Sequence, residues 1–422
     1  MMQPVYILGG AQTDFATNWT REGHQIFDLF AANVRDSLER CQLDANDLQV
    51  GHVGNFVAEL FTGQGMLGGF YGHVDPSLSG MPATRHEGAC ASGSLAALAA
   101  MADIQSGRYD LACVTGIELM RNVPGTEAGD HLGAAVWVGV EATDKKYIWP
   151  AMFSQLAEEY DQRYGVKREH LAEIARINFA NAKRNGNAQT RDWTLTDAHF
   201  GEDEELNPVI DGHIRRQDCA QITDGAATIF LASHEYATRY AKALGVPVDS
   251  LARIEGFGHT TAPMQLAAKM AASAYDDYVF PWVRKAITDA YTRAGISGPE
   301  QLDAIETHDC FTINEYMAID HFGITKPGEA WKAIEAGRIA PDGDIPVNAS
   351  GGLMGGGHPV GATGVRMLLD AAKQVTASAG DYQVAGAKRV ATYNVGGSAT
   401  TNCCFIVAGA GAGAGAAAGV SE

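Results

Sequence analysis

The stretch RCQLDANDLQVGH, residues 40–52, lies beside RAGISGPEQLDAIETH, residues 293–308, with one residue of adjustment. Each closes an amphipathic helical run, FDLFAANVRDSLERC (27–41) in one case and PWVRKAITDAYTRAGI (281–296) in the other. Each then turns through small and polar residues and enters a short apolar run that reads as a strand. A further strand pattern precedes each helix, PVYILGG (4–10) and LARIEGFGHTT (251–261). The same order of elements, returning after about 250 residues, predicts an α/β fold of two similar halves.

The rest of the organisation follows from that repeat. The first half is expected over 1–120 together with 221–250, and the second over 251–408. Residues 121–220 carry Trp149, Tyr160, Tyr164 and two helical stretches, and read as an inserted loop domain. A long insertion of this kind commonly shapes a substrate pocket, although a plain structural excursion fits the pattern equally. Residues 409–422 form a Gly/Ala-rich tail that cannot build a core and is expected to be flexible.

Of the 422 residues, 46% are apolar, 19% are charged and 49 are glycine, the composition of a tightly turned enzyme. A net charge of −19 argues against nucleic-acid binding and membrane-surface attachment, which need a basic footprint. No apolar run has the length to cross a bilayer, and MMQPVYILGG lacks the features of a leader, so a cytoplasmic protein without membrane insertion is expected. The seven cysteines form no CxxC pair, and free thiols in a reducing compartment are expected, with no metal.

Cys90, in HEGACASGSLAALAA (86–100), sits at a predicted helix start, where free backbone N–H groups and the helix dipole stabilise a thiolate. Gly93 would let neighbouring backbone pack closely there. Alone, Cys90 also reads as a small core filler. A second stretch, NASGGLMGGGHPVGATGVRMLLDAAK (348–373), puts His358 in a glycine-rich loop just ahead of another helix. No lysine follows these glycines, which excludes the phosphate-binding GxxxxGK[ST] pattern. His358 is then either a base for a thiol or a satisfied core histidine. A third stretch, ETHDCF (306–311), places His308 and Cys310 at the carboxyl end of a predicted strand, where ligands collect in open α/β sheets. Neighbours on a strand point to opposite faces, so His308, Asp309 and Cys310 are poorly disposed to share one metal ion.

Together GACASGS (88–94), DCAQITDGAA (218–227), HDCF (308–311), SGGLMGGGHPVGATG (350–364) and YNVGG (393–397) resemble the motifs of the thiolase family, most closely its sterol-carrier-protein branch. The resemblance implies a five-layer αβαβα core of two halves with an inserted loop domain, assembled as a homodimer or homotetramer. It implies acyl transfer through a cysteine thioester, forming or cleaving β-ketoacyl-CoA, with coenzyme A as substrate or product and no permanently bound cofactor. By motif position, Cys90 is similar to the acylated nucleophile and His358 to the histidine that takes its proton. His308 and His358 would form one oxyanion hole, and the backbone N–H groups of Cys90 and Gly396 a second. Many thiolases carry a general acid/base cysteine in a CxG motif where this chain reads Asn394-Val395-Gly396, and the resemblance to the sterol-carrier branch, whose acid/base is the cysteine of HDCF, implies that role for Cys310.

Other departures bear on the carrier. Gly356 and Leu119 stand where this branch often has lysines, leaving Arg215 and Arg216 as candidates for the phosphates of coenzyme A or as a solvated surface pair. Two other readings use the same residues. A ketosynthase-type enzyme, or a C-acyltransferase assembled from several different chains, would employ Cys90, His308 and His358 with a non-CoA carbon nucleophile. A thiolase-like lyase or lipid-associated scaffold, paired with a small OB-fold partner, would need neither thiol.

Overall fold

The computed structural model describes residues 3–412; the expected tail beyond 412 lies outside the described residues. Its strands are β1 (Val5–Gln12), β2 (Val50–Gly54), β3 (Ala83–His86), β4 (Leu111–Glu118), a small hairpin of β5 (Val209–Asp211) and β6 (Ile214–Arg215), then β7 (Gly225–Ala232), β8 (Ala252–Thr261), β9 (Ala304–Thr307), β10 (Arg389–Gly396) and β11 (Thr401–Ala408). The large sheet runs β3-β2-β4-β7-β1-β8-β11-β10-β9.

That order is one pattern written twice. In the first half β2 is parallel to β3 and β4, β4 is antiparallel to β7, and β7 to β1. In the second half β9 is parallel to β10, β10 antiparallel to β11, and β11 to β8. The counterpart of β3 has shrunk to a single parallel bridge between Ile305 and Val347. The paired sequences explain the match. The helix Ile26–Cys41 ends at Gln42 in the left-handed region (φ 51°), and Pro281–Ala294 ends at Gly295 in the same region (φ 68°). A short 3₁₀ turn follows each, Ala45–Asp47 or Pro299–Gln301, before β2 or β9 begins. The extra residue lies between helix end and turn.

β1 and β8 pair over Val5–Ile7 and Ala252–Ile254, and this short seam joins the halves. Helices Ser92–Gln105 and Thr363–Val375 fill the space between them, sharing one core with Val114, Ile229, Val390 and Phe405 from strands of both halves. The opposite face of the first half, through Cys113, Ile117 and Phe230, packs on Ile26–Cys41. The opposite face of the second packs on Pro281–Ala294 and Thr312–Phe322. Strands buried on both faces read as continuous apolar runs, as LACVTGIE of β4 does. Helix, sheet, helix, sheet, helix makes the five layers expected from the sequence.

Between β4 and β7 the chain leaves the layered core and forms the helices Ile148–Tyr164 and Arg168–Ala182, which pack into the core of the second half. Among the described residues no helix is long and apolar enough to cross a membrane.

Candidate active site

The site lies where the two central helices begin. Cys90 is in a 3₁₀ turn, Ala89–Ala91, that runs into Ser92–Gln105. Ala89 takes a left-handed backbone (φ 49°), a conformation that costs a non-glycine residue about 1–3 kcal/mol and recurs at catalytic turns. Ser92 Oγ braces it, accepting from the Gly88 N–H at 3.0 Å and donating to the Ala89 carbonyl at 2.6 Å. Burial pushes the Cys90 thiol up to about 12, while the N–H groups of Gly397 and of Cys90 itself pull the other way. The resting nucleophile is therefore a thiol.

Two imidazoles complete the cluster, with the Cys90 sulfur and one ring nitrogen of each of His308 and His358 all within 4.8 Å of one another. The rings meet edge to face with centroids 5.1 Å apart. Desolvation holds His358 down to about 3 and His308 well below the usual histidine range, and the proximity of His358 lowers His308 further. Both are neutral near pH 7, and their hydrogen bonds assign opposite tautomers. Thr363 Oγ1 lies 2.7 Å from His358 Nδ1 and donates its own proton to the Pro359 carbonyl, so Nδ1 carries the ring proton and Nε2 a lone pair. At His308, Asn394 Nδ2 lies 3.0 Å from Nδ1 and the Val395 N–H 3.5 Å from it, so Nδ1 accepts and Nε2 bears the proton. Both Nε2 atoms are buried without a hydrogen-bond partner among the described residues. One is built to take a proton and the other to donate a hydrogen bond.

The mid-chain motif DCAQITDGAA positions His358: Thr223 Oγ1 accepts the His358 backbone N–H at 2.9 Å, and Ile222 bridges to His358 as a parallel strand pair. In HDCF the aspartate does the equivalent work. Asp309 accepts the N–H groups of Leu353 (2.6 Å) and Met354 (3.2 Å), tying β9 to the glycine-rich loop that leads to His358. Gly352 has φ +61°, and a Cβ there would stand 2.4 Å from the Asp309 carboxylate, so this tie requires glycine.

Cys90, Cys310 and His358 line one cleft of about 210 Å³. Cys310 is buried and protonated, its thiol raised well above the ordinary range by desolvation and next by the nearby Cys90. Most of the wall is apolar, from Phe56, Met120, Leu132, Trp149, Phe153 and Phe311, the last two stacked at 4.3 Å. Trp149, Phe153 and Leu132 come from the chain between β4 and β7, which thus contributes to the cleft wall.

Residues 5–194 match the family model for the thiolase N-terminal domain, and 265–409 the one described as thiolase C-terminal domain-like. An acetyl-CoA acetyltransferase of Methanothermobacter thermautotrophicus is 30% identical, covering 95% of this chain and 98% of its own.

The chain belongs to the thiolase family.

Human sterol carrier protein 2 is 25% identical, over 94% of this chain and 70% of its own length. Among solved structures, an Ltp2-ChsH2(DUF35) aldolase superposes with a TM-score of 0.74 at 19% identity, covering 96% of this chain and 98% of its own. Human mitochondrial 3-ketoacyl-CoA thiolase in complex with CoA superposes with a TM-score of 0.69 at 15% identity, over 96% and 98%. At these identities the superpositions speak for the thiolase fold alone.

Within the thiolase frame the structure defines the surroundings of Gly396, Arg215 and Arg216. The N–H of Gly397, one residue beyond Gly396, acts with Cys90's own N–H to lower the Cys90 thiol against its burial. Gly396 closes the β10–β11 pairing opposite Thr401, and a Cβ there would lie 2.0 Å from the Gly88 carbonyl oxygen, so close backbone packing requires glycine at this position. Neither Arg215 nor Arg216 lines the cleft. The Arg215 guanidinium binds Glu204 (2.9 Å) and the Asn207 carbonyl (2.8 Å), a structural role, and Arg216 is exposed. The missing lysines also have local causes. At Gly356 a Cβ would meet the Gly352 carbonyl oxygen at 2.3 Å, and Leu119 is buried in the core of the first half. Asn394, Thr363 and Thr223 escape a reading of the sequence, because a neutral polar residue in a strand or at a helix start carries no chemical signature. Cys219, a third thiol on the cleft, escapes it too.

Proposed function

We propose that this thiolase transfers acyl groups through a thioester on Cys90, cleaving or forming β-ketoacyl-CoA. The observation that carries the reading is the pairing of a thiol with two neutral imidazoles in opposite tautomers, beside a second thiol on one apolar cleft. As Cys90 Sγ attacks the acyl carbonyl, His358 Nε2 takes its proton, and the developing oxyanion is met by the N–H groups of Cys90 and Gly396, the pair that the family resemblance implies. When the carbon–carbon bond breaks, the departing acetyl-CoA enolate is held by the His308 Nε2–H. Cys310, protonated at rest, supplies a proton to its α-carbon. The incoming coenzyme A thiol then gives its proton back to Cys310 and attacks the Cys90 thioester; the sulfur–acyl bond to Cys90 breaks, the departing Cys90 sulfur takes back the proton held on His358, and the shortened acyl-CoA is released. Condensation runs the same steps in reverse.

Coenzyme A is a substrate in this reading. With Arg215 spent on Glu204, the exposed Arg216 and Lys146, the latter 4.9 Å above the ring of the cleft residue Tyr147, are the cations offered to its phosphates. Free thiols throughout suit a cytoplasmic enzyme. A homo-oligomer is part of the same reading, and the small OB-fold partner belongs to the lyase alternative.

The test is mass spectrometry of the Cys90 peptide after incubation with acetyl-CoA, for the native enzyme and Cys310→Ala. An acetyl adduct on Cys90 in both, with β-ketoacyl-CoA thiolysis reduced by about 10²–10⁴ in the variant, is the expected result. An unimpaired variant would point to a ketosynthase-type reaction. Absence of any adduct on the native enzyme would sink the acyl-transfer reading in favour of a lyase.

A further inference from the structure

Asn394 occupies the position of the cysteine that many thiolases carry in CxG, and the reaction above makes no direct use of it. It is 1% exposed on β10, between the halves of the site. Its Oδ1 accepts from Ser94 Oγ at 2.8 Å, on the helix that begins beside Cys90. Its Nδ2 donates to the Cys90 carbonyl at 3.0 Å and faces His308 Nδ1 at 3.0 Å. The amide has one workable orientation, because reversing it would set Oδ1 against the Cys90 carbonyl oxygen. His308 Nδ1 therefore meets donors on both of its contacts, Asn394 and the Val395 N–H. The ring proton is left on Nε2.

We propose that Asn394 is a positioning residue that locks His308 in its Nε2–H tautomer, and that this lock also keeps divalent metal ions out of the Cys90, His308, His358 cluster. A thiolate and two imidazoles within 4.8 Å of one another make a three-ligand set of the kind that holds zinc around an open position. Metal-bound histidines bind through a lone pair and donate their other ring N–H to a carboxylate or carbonyl oxygen. His308 has the opposite surroundings. Binding a metal at Nε2 would force a proton onto Nδ1, against two N–H groups in a dry interior. The same atom pair that makes His308 an oxyanion donor makes it a poor ligand. The first half of the proposal rests on the acyl-transfer reading, and the second stands without it.

Two measurements test the lock without turnover. Long-range ¹H–¹⁵N correlation spectra of ¹⁵N-histidine-labelled native enzyme, with the His308 signals identified by their loss in His308→Gln, should show a protonated Nε2 and an unprotonated Nδ1. The reverse pattern overturns the proposal. In Asn394→Asp a carboxylate oxygen can accept from Nδ1–H and turn the tautomer over. This variant should acquire cobalt(II) with a sulfur-to-metal charge-transfer band that disappears on adding Cys90→Ala, whereas the native enzyme shows no such band. A native enzyme that binds cobalt through Cys90 as tightly as the variant overturns the metal-exclusion half. If Asn394→Asp does not fold, Asn394→Ala, which removes the donor to His308 together with the bonds to Ser94 and to the Cys90 carbonyl, should show both tautomers in the same spectra; a pure Nε2–H signal there overturns the lock. For turnover, Asn394→Asp should lose about 10²–10³ in β-ketoacyl thiolysis, the scale of one oxyanion donor, and proportionately less in Cys90 acetylation. Failure of the acyl-transfer reading would appear instead as no acetyl adduct on native Cys90, with the tautomer unchanged.

Discussion

At the scale of residues, the site is neutral at rest. Burial raises both thiols and lowers both imidazoles, so no ion pair exists before substrate arrives. Nucleophile activation is then a proton transfer within the attack itself, in contrast to thiol enzymes that store a thiolate beside an imidazolium. This fixes a pH dependence. A free histidine titrates near 6.5, but His358 is held down to about 3. Acetylation of Cys90, followed as the burst of coenzyme A released on mixing with acetyl-CoA, should stay level on lowering the pH from about 8 to about 5. A one-proton limb centred near 6.5 would place His358 in water and contradict the burial.

At the scale of elements, the two central helices meet through glycine. A Cβ on Gly93, in the first turn after Cys90, would lie 2.7 Å from the Gly361 carbonyl oxygen, and one on Gly54 2.5 Å from the Gly93 Cα. Nothing in these contacts is the far end of a flexible side chain. Gly93→Ala should therefore push Ser92–Gln105 away from the turn after His358, with an overpacking cost of about 1–3 kcal/mol. The change in position matters more than the change in stability, since a 1 Å misplacement of reacting groups can slow a step about 10²-fold. The expected outcome is a modest fall in melting temperature together with slowing of Cys90 acetylation by more than about tenfold. Full acetylation with a lowered melting temperature would show that the helix start is not what aligns sulfur and base.

At the scale of the whole molecule, the buried charges divide into two groups with opposite pH signs. His308, His358 and His52 have lowered values, about 4 for His52. Each adds stability that is complete above the ordinary histidine value of 6.5 and is lost as the pH falls towards its folded value, at about 1.4 kcal/mol per pH unit. Glu118 and Glu306, raised to about 7, and Asp309, raised to about 6, act the other way. Their contribution is complete below the ordinary carboxyl range near 4.5 and is lost as the pH rises through the folded values. Between about 4.5 and 6.5 the two slopes oppose, so urea midpoints should form a broad shoulder there and fall steeply below about 4.5, where the imidazoles act alone. Midpoints that climb steadily across the shoulder would mean that the buried carboxyls are ionised.

The duplicated α/β core was legible because RCQLDANDLQVGH and RAGISGPEQLDAIETH encode it locally, through helix ends, turns and buried strand runs. Cys90, His308, Cys310 and His358 were legible because thiols and imidazoles beside glycines and helix starts are chemically conspicuous. What only the tertiary structure decided is the state of those groups. Whether an imidazole offers a lone pair or a proton depends on what faces its other nitrogen, and Thr363 and Asn394 reach those nitrogens from different elements, the latter 86 positions from His308. Residue types announce a chemistry, whereas hydrogen-bond direction and desolvation arise only when distant segments enclose one another.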